Sequence, residues 1–176
     1  MAQYVVFTVG RDRPGIVAAV TGALYALGGN LLDTSMTVLS GHFAVALAVD
    51  APVDEATLVA ALTPVADRLE LGLSVLPISG GEHPRPAGPR FVVSVYGADH
   101  SGIVARVTAL LAEHGVNIVD LETRRVGAAD DPVYAMLLEV ALPVELTAVE
   151  LSEALSLLAE ELGVEASLHE ADADIL

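Results

Sequence analysis

The chain has 176 residues, a formal net charge of −16 and no cysteine. The negative charge argues against direct binding to DNA, RNA or an anionic membrane, because each would meet an acidic, self-repelling surface. The absence of cysteine excludes disulfides, thiolate metal sites and a cysteine nucleophile, and it fits a reducing compartment. The first residues lack a basic and apolar leader, and no apolar run reaches the ~18 residues that span a bilayer. We therefore expect a cytoplasmic protein that does not bind membranes.

The first half of the chain predicts a strand, a helix and a hairpin. Residues 4–9 are β-branched and aromatic, which favours a strand. Apolar residues at helical spacing between Ile16 and Leu27 predict a helix that stops at Gly28. Two strand-like runs, 31–39 and 42–49, then flank Ser40-Gly41 and predict a hairpin.

A second helix and a final strand complete this half. Asp54 can cap a helix that carries apolar residues up to Leu69, and residues 73–78 predict a strand. Pro64 lies inside that helix and cannot donate a backbone hydrogen bond, which predicts a kink or a break near Thr63.

The second half of the chain repeats the first. Residues 4–36 align with residues 91–123, and after four extra residues near 127–132 the match resumes. It continues through Pro52-Val53 with Pro143-Val144 and through Leu71-Gly72 with Leu162-Gly163. In the second copy, Thr147 and Glu150 form a capping box before the second helix.

The order βαββαβ, present twice, predicts an α+β protein with two ferredoxin-like domains. Each domain is expected to be an antiparallel four-stranded sheet with two helices on one face. The predicted limits are residues 1–79 for the first domain, 80–89 for a Gly/Pro-rich linker, 90–171 for the second domain and 172–176 for an acidic tail.

The turn after the first strand has the chemistry of a small anion site. A helix that begins near Gly15 presents unpaired N–H groups and the positive end of its dipole, which suits a carboxylate. Gly15 has no side chain to block approach, and Pro14 restricts the turn. Because the Asp12 carboxylate can pair with an ammonium and the Asn30 amide can donate and accept, the set can hold a zwitterion.

Each half resembles an ACT domain, a ligand-binding regulatory module of amino-acid metabolism. The resemblance lies in two motifs that both copies carry: residues 12–17 with 29–31, and residues 99–104 with 115–118. Two such domains without a catalytic domain are similar to the group of glycine cleavage system transcriptional repressors. The resemblance implies a ligand site formed by the turn and the Asn that opens the second strand. These residues are Asp12, Pro14, Gly15, Ile16 and Asn30 in the first copy, and Asp99, Gly102, Ile103 and Asn117 in the second.

A purely structural interpretation of the same residues stays open. Asp12 and Asp99 can serve as helix caps or Asx-turn residues, the glycines can serve only the turn, and the asparagines can accommodate a left-handed backbone. The second copy has Ser101 in place of Pro14 and His100 in place of Arg13, which predicts two unequal sites.

The sequence contains no pattern typical of a catalytic or metal site. Adjacent residues Asp99-His100-Ser101 point their side chains apart, whereas a triad converges from distant segments. The five histidines have no metal-binding spacing, and neither turn matches a nucleotide-binding motif. We expect no catalytic residue, no metal and no cofactor.

The sequence leaves three functional hypotheses open. The first is a non-enzymatic sensor that binds a small amino acid, glycine by analogy with the repressor group, and acts through a protein partner rather than through DNA. The second is a ligand-independent module that docks a basic partner, and the third is a detached regulatory part of a metabolic enzyme. Pairing of two chains into a homodimer is left open.

Overall fold

The computed structural model describes residues 2–78, 88–128 and 131–171. Contacts between residues divide the chain into two compact units, Met1–Glu82 and His83–Leu176. We call them the first and the second unit. Of the predicted linker, only Gly88 and Pro89 are described, and the predicted tail 172–176 lies outside the described residues.

The first unit is a four-stranded antiparallel sheet covered on one face by two helices. Its elements in chain order are β1 (Ala2–Arg11), α1 (Ile16–Ala26), β2 (Asn30–Leu39), β3 (His42–Ala51), α2 (Glu55–Leu69) and β4 (Gly72–Ile78). The strands lie in the order β2-β3-β1-β4. Alternate residues of β1 and β3 pack against Ile16, Val20 and Leu24 of α1 and against Leu58 and Leu62 of α2, because side chains alternate between the faces of a strand.

The second unit has the same architecture. Its elements are β5 (Arg90–Ala98), α3 (Ile103–Glu113), β6 (Asn117–Ala128), β7 (Asp131–Ala141), α4 (Ala148–Leu162) and β8 (Val164–Glu170), with the strand order β6-β7-β5-β8. Both units carry a β-bulge at the same place in the second strand, between Leu31 and Asp33 and between Ile118 and Asp120. The predicted α+β class with two βαββαβ units is confirmed.

Helix α2 continues through Pro64, so a break near Thr63 is wrong, and a kink there stays a prediction. Pro64 and Ala60 both lie on the exposed side of the helix. Water can therefore solvate the Ala60 carbonyl, which lost its i+4 donor, and the buried residues Leu58, Leu62 and Ala66 hold the helix on the sheet.

The sequence match of Leu71-Gly72 with Leu162-Gly163 does not join equivalent positions. Gly163 ends α4 in a left-handed conformation, with φ 64°, and the residue that ends α2 in the same way is Glu70, with φ 56°. The second unit has two extra residues before its second helix, because Pro52 and Pro143 align whereas the N-caps Asp54 and Thr147 do not. The apparent match is therefore shifted by two residues.

Strand β2 lies at an edge of its sheet and is exposed along its whole length. Its neighbour β3 alternates between buried and partly exposed residues, so the helical layer ends over β3. None of the helices in the described part of the chain has the length and apolar character needed to cross a membrane.

Candidate ligand-binding turns

The turn between β1 and α1 ends in a glycine-capped helix. Gly15 is the N-cap, has φ 92° and makes no side-chain cap hydrogen bond. The first intrahelical bond runs from the Ala19 N–H to the Gly15 carbonyl, 2.9 Å. The N–H groups of the first helical turn, from Ile16 to Ala18, therefore have no intrahelical acceptors and carry the positive end of the dipole.

A cavity of about 510 Å³ lies against this turn. Its lining residues are Asp12, Arg13, Pro14, Gly15, Ile16, Val17, Ala18, Met36 and Phe43. The structure thus brings together four of the five residues predicted for the first site. The five other lining residues extend the predicted set. Three come from the turn and the helix, Arg13, Val17 and Ala18, and two come from the sheet, Met36 and Phe43.

Met36 and Phe43 belong to the hairpin, which sequence reasoning placed in the fold but not in the site. The Asp12 N–H donates to the Gly41 carbonyl of the hairpin loop over 2.9 Å, so the loop is held beside the turn. The strand order of the sheet could have predicted that Met36 and Phe43 lie near the turn. Strands β1 and β2 both pair with β3, and both finish beside His42 at the same end of the sheet.

Asn30 lies at the other end of the sheet. It pairs in register with Asp50, whereas Arg11, next to Asp12, pairs with His42. Eight residues of β3 separate these partners, which corresponds to about 26 Å at 3.3 Å per residue. A small ligand cannot contact both Asp12 and Asn30 of one first unit.

The turn of the second unit has the same backbone and a different charge arrangement. Gly102 is the N-cap of α3 with φ 100° and no side-chain cap bond, and the Arg106 N–H donates to its carbonyl over 2.9 Å. Ile103 is buried at the start of the helix, as Ile16 is in the first unit. However, the Asp99 carboxylate lies 2.8 Å from Nε of Arg125, a strand residue whose equivalent in the first unit is Val38.

Asn117 is distant from its turn for the same reason as Asn30. It pairs with Ala141 of β7, whereas Ala98, next to Asp99, pairs with Val133 at the other end of that strand. Its side-chain amide donates to the Ile118 carbonyl over 3.3 Å. Neither asparagine is brought to its own turn.

Each turn is tied to the end of the second helix of its unit. In the first unit Arg13 donates to the Glu70 carboxylate over 2.8 Å. In the second unit Nε2 of His100 lies 2.8 Å from the carbonyl of Leu162, so the Nε2–H tautomer donates to the last residue of α4. Different side chains thus make the same connection, and the exposed Arg13–Glu70 pair adds little stability by itself.

The structure decides between several of the structural interpretations. Asp12 and Asp99 are not helix caps, because Gly15 and Gly102 occupy the N-cap positions. Both glycines do serve the turn, since they adopt left-handed backbone that L residues adopt at a cost. A Cβ at either glycine would meet no atom within 4 Å, so conformation rather than space requires glycine here. Asn30 and Asn117 do not have positive φ, and their left-handed interpretation is wrong.

Among the residues that the structure describes, two carboxyl groups have displaced pKa values, and both are helix-capping groups remote from the turns. Hydrogen bonds from the side chain and backbone of Thr57 lower the pKa of Asp54, and those from the backbone and side chain of Thr147 lower the pKa of Glu150. Within residues 2–78, 88–128 and 131–171, no three His, Asp or Glu side chains cluster in a way that could hold a metal ion.

Comparison with known proteins assigns both units to one family. The family model of the ACT domain matches the chain twice, at residues 3–75 and 89–169. The chain belongs to the ACT domain family, as a tandem of two such domains.

Several relatives span one or both units. The glycine cleavage system transcriptional repressor of Escherichia coli is 28% identical over 171 residues, which cover 95% of this chain and 90% of the relative. A UPF0237 protein of Methanocaldococcus jannaschii is 39% identical over 79 residues, 43% of this chain and 86% of its own. A crystal structure of an unknown protein from Galdieria sulphuraria is 34% identical, covers 97% of this chain and 98% of its own, and superposes with a TM-score of 0.81.

Proposed function

We propose that this protein is a non-enzymatic sensor of a small amino acid and that the first-unit turn is its main binding site. The observation that carries the proposal is the cavity at residues 12–18, where a carboxylate and the free N–H groups of a helix start face the same space. An α-carboxylate suits the helix start, and an α-ammonium suits Asp12. The name of the Escherichia coli relative makes glycine the first ligand to test.

In this proposal the second-unit turn binds the amino acid more weakly than the first-unit turn does. Its carboxylate already lies against the Arg125 guanidinium, and a ligand ammonium would have to displace that group. The pair is exposed, with relative side-chain exposures of 65% and 28%, so its displacement costs up to about 1 kcal/mol. This corresponds to about fivefold in affinity.

The sensor acts through a protein partner in the cytoplasm. The net charge of −16 disfavours direct contact with DNA, and the absence of cysteine fits a reducing compartment. Bound ligand changes the output only if it binds two states of the protein with different affinity. The relative's name favours control of gene expression as that output, and pairing of two chains is compatible with it.

Thermal unfolding in the presence of each standard amino acid tests the proposal. A ligand at one hundred times its dissociation constant stabilises its unit by about 2.7 kcal/mol, which shifts the unfolding temperature by several degrees. We expect one or a few small amino acids to give this shift. If none does at concentrations near 10 mM, roughly a hundredfold above a Kd of ~0.1 mM, the sensor proposal fails and the ligand-independent module takes its place.

Matched variants locate the site. Asp12→Asn keeps the shape of the side chain and removes the charge, and we expect it to weaken ligand binding by about tenfold. Asp99→Asn is the control in the second unit and should change the affinity of the main site by less than twofold. Equal losses in the two variants would contradict the assignment of the main site to the first unit.

Asn30→Ala tests the residue that the structure places away from the turn. We expect unchanged affinity, because Asn30 and Asp12 of one unit cannot share a small ligand. A tenfold loss would mean that Asn30 reaches the ligand from a second copy of the chain, which sedimentation at varied protein concentration would reveal.

A further inference from the structure

The second unit has another cavity, which does not involve the Asp99 turn. It has a volume of about 620 Å³ and lies along the outer side of α4, next to the edge strand β8. We call it the α4 groove. Its lining residues are Phe91, Ala148, Val149, Ser152, Glu153, Ser156, Leu157, Glu160 and Leu168. Phe91 and Leu168 come from the sheet, and the other seven come from one side of the helix.

The spacing along α4 suits an elongated apolar partner. Val149 and Leu157 are eight residues apart, so they share one helix face, and they are 67% and 66% exposed. Between them Ser152 and Ser156 are small, which lets another backbone approach closely. From Val149 to Glu160 the face is about 16 Å long, which is three turns of a helix.

The charge of the groove is negative and is not neutralised within the unit. Glu153 and Glu160 lie in the groove lining. All four arginines among residues 88–128 and 131–171 are in ion pairs elsewhere. These pairs are Arg90–Glu139, Arg106–Glu161, Arg124–Glu122 and Arg125–Asp99, at 2.5, 2.6, 3.3 and 2.8 Å. The groove therefore favours a cationic partner, and a second copy of a chain with a net charge of −16 is a poor occupant.

The equivalent face of the first unit lacks the two exposed apolar anchors and one of the two carboxylates, because only Asp67, in place of Glu160, keeps a charge. The residues of α2 that correspond to Val149, Glu153 and Leu157 are Ala56, Ala60 and Pro64. These residues provide neither large apolar anchors nor charge. The groove is therefore a property of the second unit and does not follow from the shared fold.

We propose that the α4 groove docks a basic amphipathic helix of another protein. The exposed Val149 and Leu157 receive its apolar face, with the buried Phe91 and the partly buried Leu168 beneath them. Glu153 and Glu160 pair with its arginines or lysines at the rim. This is recognition of a helix in a groove, in which apolar residues at i, i+3, i+4 and i+7 are the anchors. The proposal does not depend on amino-acid binding by the turns.

Fluorescence anisotropy with the full chain and three labelled peptides tests the proposal. Each peptide has about 18 residues, long enough for five helical turns. The first has leucines on one face and arginines on the other, the second has glutamate in place of arginine, and the third permutes the first so that no apolar face forms. We expect the first to bind with a Kd of ~10 μM at low salt and the other two to bind about tenfold more weakly or worse.

Two sets of variants test where the peptide binds. Leu157→Arg should weaken binding by about tenfold or more, and Leu157→Ser should weaken it less. Leu39→Arg is the matched control, because Leu39 is also 66% exposed but lies in the first unit, and it should change the affinity by less than twofold. Replacing Glu153 and Glu160 with Gln together should weaken binding and flatten its salt dependence. Unchanged thermal unfolding of each variant confirms that the fold is intact.

Four results would overturn the proposal. They are equal binding of the permuted peptide, equal losses for Leu157→Arg and Leu39→Arg, no binding of the basic peptide at about 1 mM, and a dimer that Leu157→Arg converts to a monomer. The last result would make the groove an interface between copies of this chain. A failure of the thermal screen with amino acids leaves all four readouts unaffected, so the two proposals fail separately.

Discussion

The two units have the same backbone architecture and differ in the surroundings of one equivalent aspartate. In both, a left-handed glycine starts the first helix and leaves its N–H groups uncapped, with an aspartate three residues earlier. In the first unit that aspartate lines an open cavity, and in the second it is paired with Arg125. The two copies thus share the helix start, whose N–H groups suit an anion, and differ in the surroundings of the aspartate, which suits a cation where it is unpaired. A repeat therefore identifies a shared architecture, and the function of each copy depends on residues outside the shared motif.

The largest expected effect is the loss of stability caused by core substitutions, which test whether the two units unfold independently. Leu58 and Leu151 are equivalent, fully buried residues of α2 and α4. Leu58→Ala and Leu151→Ala should each lower the free energy of unfolding by about 2–5 kcal/mol, because each leaves a cavity in the core. Urea unfolding with a probe for each unit measures the effect. Each variant should shift the transition of its own unit alone, and a shift of both transitions would show that the units unfold together.

A smaller loss of stability is expected on removing the N-terminal cap of α4, which is a capping box, whereas α2 is capped by the Asp54 side chain alone. The Thr147 side chain accepts from the Glu150 N–H, and the Glu150 carboxylate accepts from the Thr147 N–H over 2.9 Å. Thr147→Ala should lower the stability of the second unit by about 1 kcal/mol, measured by urea unfolding. Thr147→Ser keeps the hydroxyl and is the control. An equal loss in both variants would mean that the methyl group matters rather than the cap.

Exchanging one strand residue between the units should exchange their ligand affinities. Val38→Arg places a guanidinium where the second unit has Arg125, and we expect it to pair with Asp12 and to weaken amino-acid binding by about fivefold. Arg125→Val frees Asp99 and should strengthen the second site by a similar factor. Isothermal titration of both variants measures this. If Val38→Arg leaves the affinity unchanged, ammonium binding by Asp12 is not part of recognition.

The smallest effect is the acid dependence of the first unit. The pKa of Asp54 is lower in the folded state because Thr57 donates to the carboxylate, so this contribution to stability is fully present above the ordinary pKa, about 3.9. It is lost as pH falls through the folded pKa. Asp54→Asn keeps a good cap that does not titrate. In acid unfolding monitored by circular dichroism, the variant should therefore lose less first-unit stability below about pH 4 than the original chain does. A parallel acid response of the two proteins would contradict this.

Much of the fold was predictable because it depends on local patterns. The apolar spacing in residues 16–27, the hairpin at Ser40-Gly41 and the duplicated order of elements each predict structure without tertiary information. The exception at Pro64 has a physical cause, since a helix face in contact with water tolerates an unpaired carbonyl. The two-residue shift before α4 escaped sequence comparison because glycine at 72 and at 163 serves different purposes, in a strand and at a helix end.

The candidate site was predictable only where it is contiguous in the chain. Residues 12–16 lie together because they form one turn, whatever the rest of the fold does. Asn30 was grouped with them from a family resemblance, and strand register places it about eight residues of β3 away. The Asp99–Arg125 pair could not be predicted from the sequence. It joins the turn after β5 to β6, and β7 lies between these two strands in the sheet.

By itself, the sequence determined the class of each element, the duplication, the glycine at each turn before the first helix and the absence of cysteine chemistry. These properties follow from backbone preference and side-chain chemistry over a few neighbouring residues. Tertiary structure alone decided which charges meet, which asparagines are remote and where α4 leaves an apolar groove. Strand order and register bring together residues that are distant in the chain, and no local pattern contains that information.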